Sequence, residues 1–334
     1  MSETESTPSI RLPDPSKLIV SNSPHMRSGD NIKKIMFLVV AAMAPACIAA
    51  VLFFGLAALN VLVLCIISCV LAEEGWNKMM KRPSTWKDGS AILSGILLGM
   101  NFNAGAPWWI CALGGILAMI LGKQLYGGLG YNPFNPVLVA RVGLLIGFPG
   151  IMTTWDKPEL GQWAIDGVTT ATPLGLAPGE TFVKDMLLGN VGGCLGETSA
   201  IALIIGGVIL LSFKLIKWEV PLSFIGTVFV ITAIAHVANP ELYHSPFVHV
   251  FSGGLLLGAF FMATDMVTSP ITRKGAWIFG FGCGLITSLI RLWGAYPEGV
   301  SFAILFMNAL TPLIDRGTIR KPFGYIAPVK EARS

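Results

Sequence analysis

Apolar residues gather in ten runs along the chain, separated by shorter polar intervals. The runs are Ile35–Phe54, Leu56–Ala72, Gly89–Ala106, Trp108–Leu121, Pro136–Thr153, Ser199–Phe213, Val220–His236, Val248–Thr264, Gly275–Leu292 and Val300–Ile314. A helix needs about 20 apolar residues to cross a hydrocarbon core, so the shorter runs must extend into the interfaces. Trp108, Trp109, Trp218, Trp277 and Trp293 stand near run ends, where indoles anchor at the headgroup layer. The pattern predicts an all-α polytopic membrane protein with about ten transmembrane helices.

Composition agrees. Of 334 residues, 53% are apolar and 13% charged, with a mean hydropathy of +0.68. A soluble domain carries about a quarter charged residues, and this chain in water would expose large apolar patches. No basic cluster is interleaved with aromatics away from the membrane, which sets nucleic-acid binding aside. The six cysteines form no CxxC pair or iron–sulfur spacing, and five lie in apolar runs as small hydrophobes.

Charge placement sets the orientation. With the N-terminus in the cytoplasm, 19 of the 23 Lys and Arg fall on the cytoplasmic side. Only Lys157 and Lys184 fall outside, and Arg141 and Arg291 lie within runs. Residues 1–34 are then a cytoplasmic segment, 35–314 the transmembrane domain with an external loop 154–198, and 315–334 a cytoplasmic tail. The first ~30 residues are polar and lack an apolar h-region, so insertion is expected to begin with an internal span.

Gly95–Ala104 in the third run echoes Gly254–Ala263 in the eighth. Copies five runs apart would be inverted in the membrane, giving an inverted 5+5 repeat of the kind found in transporters. The alternative is two small-residue packing faces.

Three groups of residues carry candidate chemistry. The stretch Asp166-Gly-Val-Thr169-Thr170-Ala171-Thr172-Pro173-Leu-Gly175 clusters hydroxyls in the external loop. Thr172-Pro173 reads as an N-cap followed by proline at the first helical position, which leaves Thr169 and Thr170 without a role. The loop Gly127–Pro136 reads as a tight turn, or as paired amides of Asn132 and Asn135 suited to a flat heteroaromatic edge. Asp265, Asn101 and Asn103, polar groups at membrane depth, are candidates for an ion path. Asp265 equally suits a helix cap, and Arg141 can snorkel to the cytoplasmic face. His236, His244 and His249 are spaced too loosely for a metal, and no catalytic side chain is singled out.

Thr169-Thr170-Ala171-Thr172 resembles the Ser/Thr-Gly-Ala-Thr flavinylation motif in the membrane subunits of Rnf and sodium-pumping NADH:quinone oxidoreductase complexes, with Thr170 where glycine is usual. Four further stretches match the family: Ser23-Pro24-His25; Gly127-Gly128-Leu-Gly130-Tyr-Asn132-Pro-Phe-Asn135-Pro136; Gly196-Glu197-Thr198-Ser199; and Phe261-Met-Ala-Thr264-Asp265-Met-Val-Thr268-Ser269-Pro270. The resemblance implies FMN joined by a phosphoester to Thr172, and a second flavin, non-covalent riboflavin, at Asn132 and Asn135. Pro173 at a helix start would aim free N–H groups and a dipole at the phosphate. Glu197 either caps a helix or lies near the FMN.

The implied function is a membrane subunit of a redox-driven ion translocase, relaying electrons while Na⁺ or H⁺ crosses a bacterial or archaeal cytoplasmic (inner) membrane. Its implied partners are sister Rnf subunits, including an FMN-bearing subunit and iron–sulfur subunits, and a flavin transferase for maturation. The length, without a long N-terminal extension, favours the Rnf branch of the family over the quinone-reductase B branch. The other alternative is a small-solute transporter with no redox role, which would be colourless.

Overall fold

The computed structural model describes residues 31–158, 169–176, 183–294 and 299–319. Among them there is no strand, and one isolated antiparallel bridge pairs Asp156 with Thr169. Helix occupies each of the ten apolar runs. In chain order the helices are α1 (Ile32–Met79), α2 (Ser90–Met100), α3 (Trp108–Ile116), α4 (Pro136–Gly147), α5 (Pro149–Met152) and α6 (Val183–Leu188). They continue with α7 (Ala200–Ser212), α8 (Glu219–Ala238), α9 (Pro246–Phe251), α10 (Leu255–Leu257), α11 (Arg273–Trp293) and α12 (Val300–Thr318). Four helical stretches, Ile32–Met79, Trp108–Tyr126, Glu219–Ala238 and Arg273–Trp293, have the length and hydropathy to cross a membrane. The protein is an all-α, multi-pass membrane protein. Ser23-Pro24-His25, Asp166–Val168 and most of both terminal segments lie outside the described residues.

The breaks in these helices follow from local chemistry. α1 holds 48 residues, enough for two crossings at about 20 each. Gly55 divides it, with φ 62° and ψ −143°, a conformation open to glycine and costly for other residues. The division falls between the first and second predicted runs. The third run predicts helix as far as Ala106, but α2 ends at Met100 and 101–107 is non-helical. The eighth run predicts one helix. It is broken at Ser252–Gly254, where Gly253 and Gly254 take φ 67° and 64°; α10 then passes into a π turn, Gly258–Met262. The fifth run breaks at Phe148, just before Pro149.

Glycines let the helices approach closely. A Cβ on Gly95 would lie 2.5 Å from Ile66 Cα, and one on Gly99 would lie 2.9 Å from Leu62 Cδ2. That Gly95-x₃-Gly99 face seats α2 on α1 as small-residue faces do in membranes. The echoed positions differ: Gly254 is a left-handed residue at the break, and Gly258 faces Val300 of α12. The echo therefore marks two packing solutions out of register with each other. What the halves share is one π turn each, Leu117–Leu121 in the first half and Gly258–Met262 in the second. α1 packs on α7, and α4 on α12.

Candidate functional site

On the side that charge placement assigns to the exterior, Thr172 has extended backbone (φ −69°, ψ 156°) and opens a single 3₁₀ turn, Pro173–Gly175. The Gly175 N–H closes the turn on Thr172 O at 2.8 Å. The expected helix start is thus one turn long, and Pro173 has no N–H to offer, so no helix dipole is aimed at this position. Nor is Thr172 a side-chain cap: its hydroxyl makes no capping hydrogen bond. Thr172 is 5% exposed, while Ala171 and Gly175 on either side are exposed.

Its neighbours hold the backbone in place. Thr169 forms the bridge to Asp156, and the Thr170 N–H donates to Trp155 O at 2.9 Å. A Cβ on Gly192 would lie 2.1 Å from the Thr170 methyl, so that side chain is seated directly on a glycine. The Thr169 and Thr170 backbone thus holds the segment, and the Thr172 hydroxyl makes no capping hydrogen bond.

Beneath the turn lies the interrupted α9. Arg291 of α11 donates to the carbonyls of His249, Ser252 (3.0 Å) and Gly253 (2.9 Å), satisfying acceptors that the break leaves without helical partners. Leu174 packs onto that break, its Cδ1 2.8 Å from where a Cβ on Gly253 would stand. Burial holds the His244 pKa below the ordinary imidazole value, and its hydrogen bonds to the Leu176 and Leu174 backbone offset this in part. Arg141 does the corresponding work at the end of α2, donating to Asn101 O. Residues just past that end tie down the start of the loop after α5: Asn103 Nδ2 donates to Thr154 O at 2.7 Å, and the Gly105 N–H to Asp156 Oδ2 at 2.7 Å. Asn101 Nδ2 turns back onto Leu97 O at 2.6 Å.

On the side that charge placement assigns to the cytoplasm is an open cleft whose enclosed part holds about 100 Å³. Its walls are apolar, with Met36, Leu97, Phe260 and Phe261 among them. Its polar groups include Asn132, Asn135, Asp265 and Lys123. Asn101 and Asn103 do not line it. Asn132 Nδ2 donates to Phe134 O at 3.0 Å, and its buried Oδ1 has no partner. Asn135 also lines the cleft; its Oδ1 caps α4 through the Val137 N–H at 3.0 Å, and its Nδ2 donates to Met262 O at 3.2 Å, so each end of the amide already has one backbone partner. The Asp265 carboxylate accepts from Thr268 Oγ1 (3.2 Å) and the Val267 N–H (3.4 Å), closing a turn after the π segment.

The family model for NQR2, RnfD and RnfE matches residues 19–324. The chain belongs to that family. Among its relatives is the D subunit of the proton-translocating ferredoxin:NAD(+) oxidoreductase complex of Clostridium ljungdahlii. The two are 44% identical over 318 residues, 91% of this chain and 96% of the relative. The D subunit of the Na(+)-translocating ferredoxin:NAD(+) oxidoreductase complex of Acetobacterium woodii is also 44% identical, over 95% and 98% of the two chains. Its counterpart in the ion-translocating oxidoreductase complex of Stutzerimonas stutzeri is 41% identical, over 88% and 92%. Equal identity to relatives named for H⁺ and for Na⁺ means that overall likeness does not choose the ion.

Within this NQR2/RnfD/RnfE chain, sequence reasoning missed the pair Glu73 and Lys123. Glu73 is 1% exposed and Lys123 2%, yet the apolar pattern places both outside the spans, as ordinary cytoplasmic-side charges. The signal lay in their settings: Glu73 directly follows an apolar run, and Lys123 sits between Gly122 and the Gly127–Pro136 loop.

Proposed function

We propose that this chain relays electrons across the membrane through FMN esterified to Thr172 and riboflavin held in the cytoplasmic-side cleft. It is a membrane subunit of an Rnf-type ion-translocating oxidoreductase complex, the D subunit in the nomenclature of its relatives. The residues fit the two groups. A phosphoester requires a hydroxyl that is not committed elsewhere, and Thr172 has one on a turn whose flanks are exposed. Riboflavin requires a largely apolar cleft with a polar edge, which Asn132 supplies through an orphan amide oxygen. The flavins, when bound, supply the electron chemistry; the chain supplies position and electrostatics.

The observation that carries this reading is the position of Thr172, the last threonine of the motif, on a turn that the Thr169 and Thr170 backbone holds in place, with a hydroxyl that makes no capping hydrogen bond. In the same reading the chain sits in the cytoplasmic membrane with both termini inside, and a flavin transferase loads it. It works beside iron–sulfur and FMN-bearing sister subunits. Moving one charge against 100 mV takes about 2.3 kcal/mol, which the redox reaction of the whole complex provides. Peptide mass analysis tests the assignment. The peptide containing Thr172 should carry the mass of FMN less water, and an unmodified peptide from active complex would refute it.

A further inference from the structure

The cleft wall holds the ammonium of Lys123, paired behind it with a carboxylate, as well as the Asn132 amide. Lys123 Nζ lies 2.8 Å from Glu73 Oε1 and 2.7 Å from Ser90 Oγ. Glu73 Oε1 also accepts from Gln124 Nε2 at 3.0 Å and from Thr85 Oγ1 at 2.9 Å, and Asn77 Nδ2 donates to Thr85 Oγ1 at 2.8 Å. The end of α1, the α1–α2 connection and the segment after the first π turn thus meet on one carboxylate oxygen, and Ser90 at the start of α2 joins them through Lys123. The arrangement is lopsided. An ammonium has three N–H donors, two of them are placed here, and Lys123 is part of the cleft wall.

A buried pair of this kind adds little stability over apolar residues of the same volume. Its distinctive property is a fixed dipole whose ammonium end lines an apolar cleft while its carboxylate stands behind, and the low dielectric magnifies its effect on any bound group that changes charge. Isoalloxazine is such a group, because reduction adds electron density to its ring heteroatoms. We propose that Lys123 selectively stabilises the reduced form of the flavin in this cleft through its remaining N–H, raising that flavin's potential. The proposal rests on the reading of the cleft as a flavin site. No bond to Lys123 forms or breaks; its proton stays on Nζ, and the electrons come from the complex's own redox path.

The test uses the full-length chain with Thr172→Ala, in which non-covalent flavin alone remains, titrated with oxidised and with chemically reduced riboflavin. Lys123→Met combined with Glu73→Gln removes both charges together and leaves no unpaired buried ion. Binding of the oxidised form should be kept, and binding of the reduced form should weaken by about tenfold or more, equivalent to about 30 mV for the two-electron couple. Equal weakening of both forms, or of neither, overturns the proposal. Ser90→Ala keeps the ion pair and frees a second ammonium N–H, so it should tighten the reduced form. Weaker binding of the reduced form in that variant also counts against the proposal. A chain with Lys123 intact that binds neither form refutes the cleft as a flavin site, and this proposal with it.

Discussion

Asn135 Nδ2 donates to the main-chain oxygen of Met262, 127 positions along the chain, while its Oδ1 caps α4. One amide thereby joins the start of a helix in the first half to the end of the π turn in the second. Asn132, three residues earlier and lining the same cleft, keeps an unpartnered oxygen. Two asparagines that look alike in the sequence thus make different contacts.

Their variants should separate those contacts. Asn132→Leu should fold normally and lose extractable riboflavin, since one amide contact is worth about 1–3 kcal/mol, tenfold or more in affinity. Asn135→Leu should lower thermal stability by losing a cap worth about 1 kcal/mol, together with the tie to Met262. If Asn135→Leu kept full stability and lost only the flavin, its amide would be a ligand contact after all.

Gly192 and Thr170 offer a test of how the acceptor segment is held. The methyl of Thr170 occupies the space a Cβ on Gly192 would need. Gly192→Ala should therefore shift the segment, at a cost of the ~1–3 kcal/mol typical of overpacking, and reduce covalent flavin. Replacing Thr170 by the glycine usual in the family motif removes the clash, so Thr170→Gly with Gly192→Ala should recover flavinylation. Fluorescent protein yield per chain measures both. Failure of the double variant to recover would show that the contact does not govern the site.

Lys184, exposed on α6, tests the topology. Lys184→Cys in a variant lacking the native cysteines should react with an impermeant thiol reagent in intact cells. Reaction only after permeabilisation would invert the orientation derived from the positive charges.

Apolar periodicity locates all ten helical runs, because burial in lipid demands contiguous apolar length and little else can produce it. It does not show where those runs break. Gly253, Gly254 and the residues after Met100 are apolar or neutral enough to look continuous, and their conformations depend on Arg291 and Arg141 reaching across from other helices. The motif points to Thr172, but the short 3₁₀ turn beneath it removes the helix-dipole argument. The role of Asn135 is illegible in the sequence because its partner, Met262 O, is a backbone atom that no side-chain pattern reveals. The Glu73–Lys123 pair is hidden for a related reason: its burial arises from the meeting of three distant segments, which a tally of surface charges cannot register.

The central claim is that Thr172 bears a covalent flavin, and ultraviolet fluorescence of the denatured chain on a gel tests it most directly. The wild-type band should fluoresce. Thr169→Ala and Thr170→Ala should still fluoresce, because those residues hold the backbone and do not accept the phosphate. Thr172→Ala should insert normally, appear at the same level by protein stain and be dark. A fluorescent Thr172→Ala band, or a wild-type band that is dark when isolated from active complex, would contradict the account.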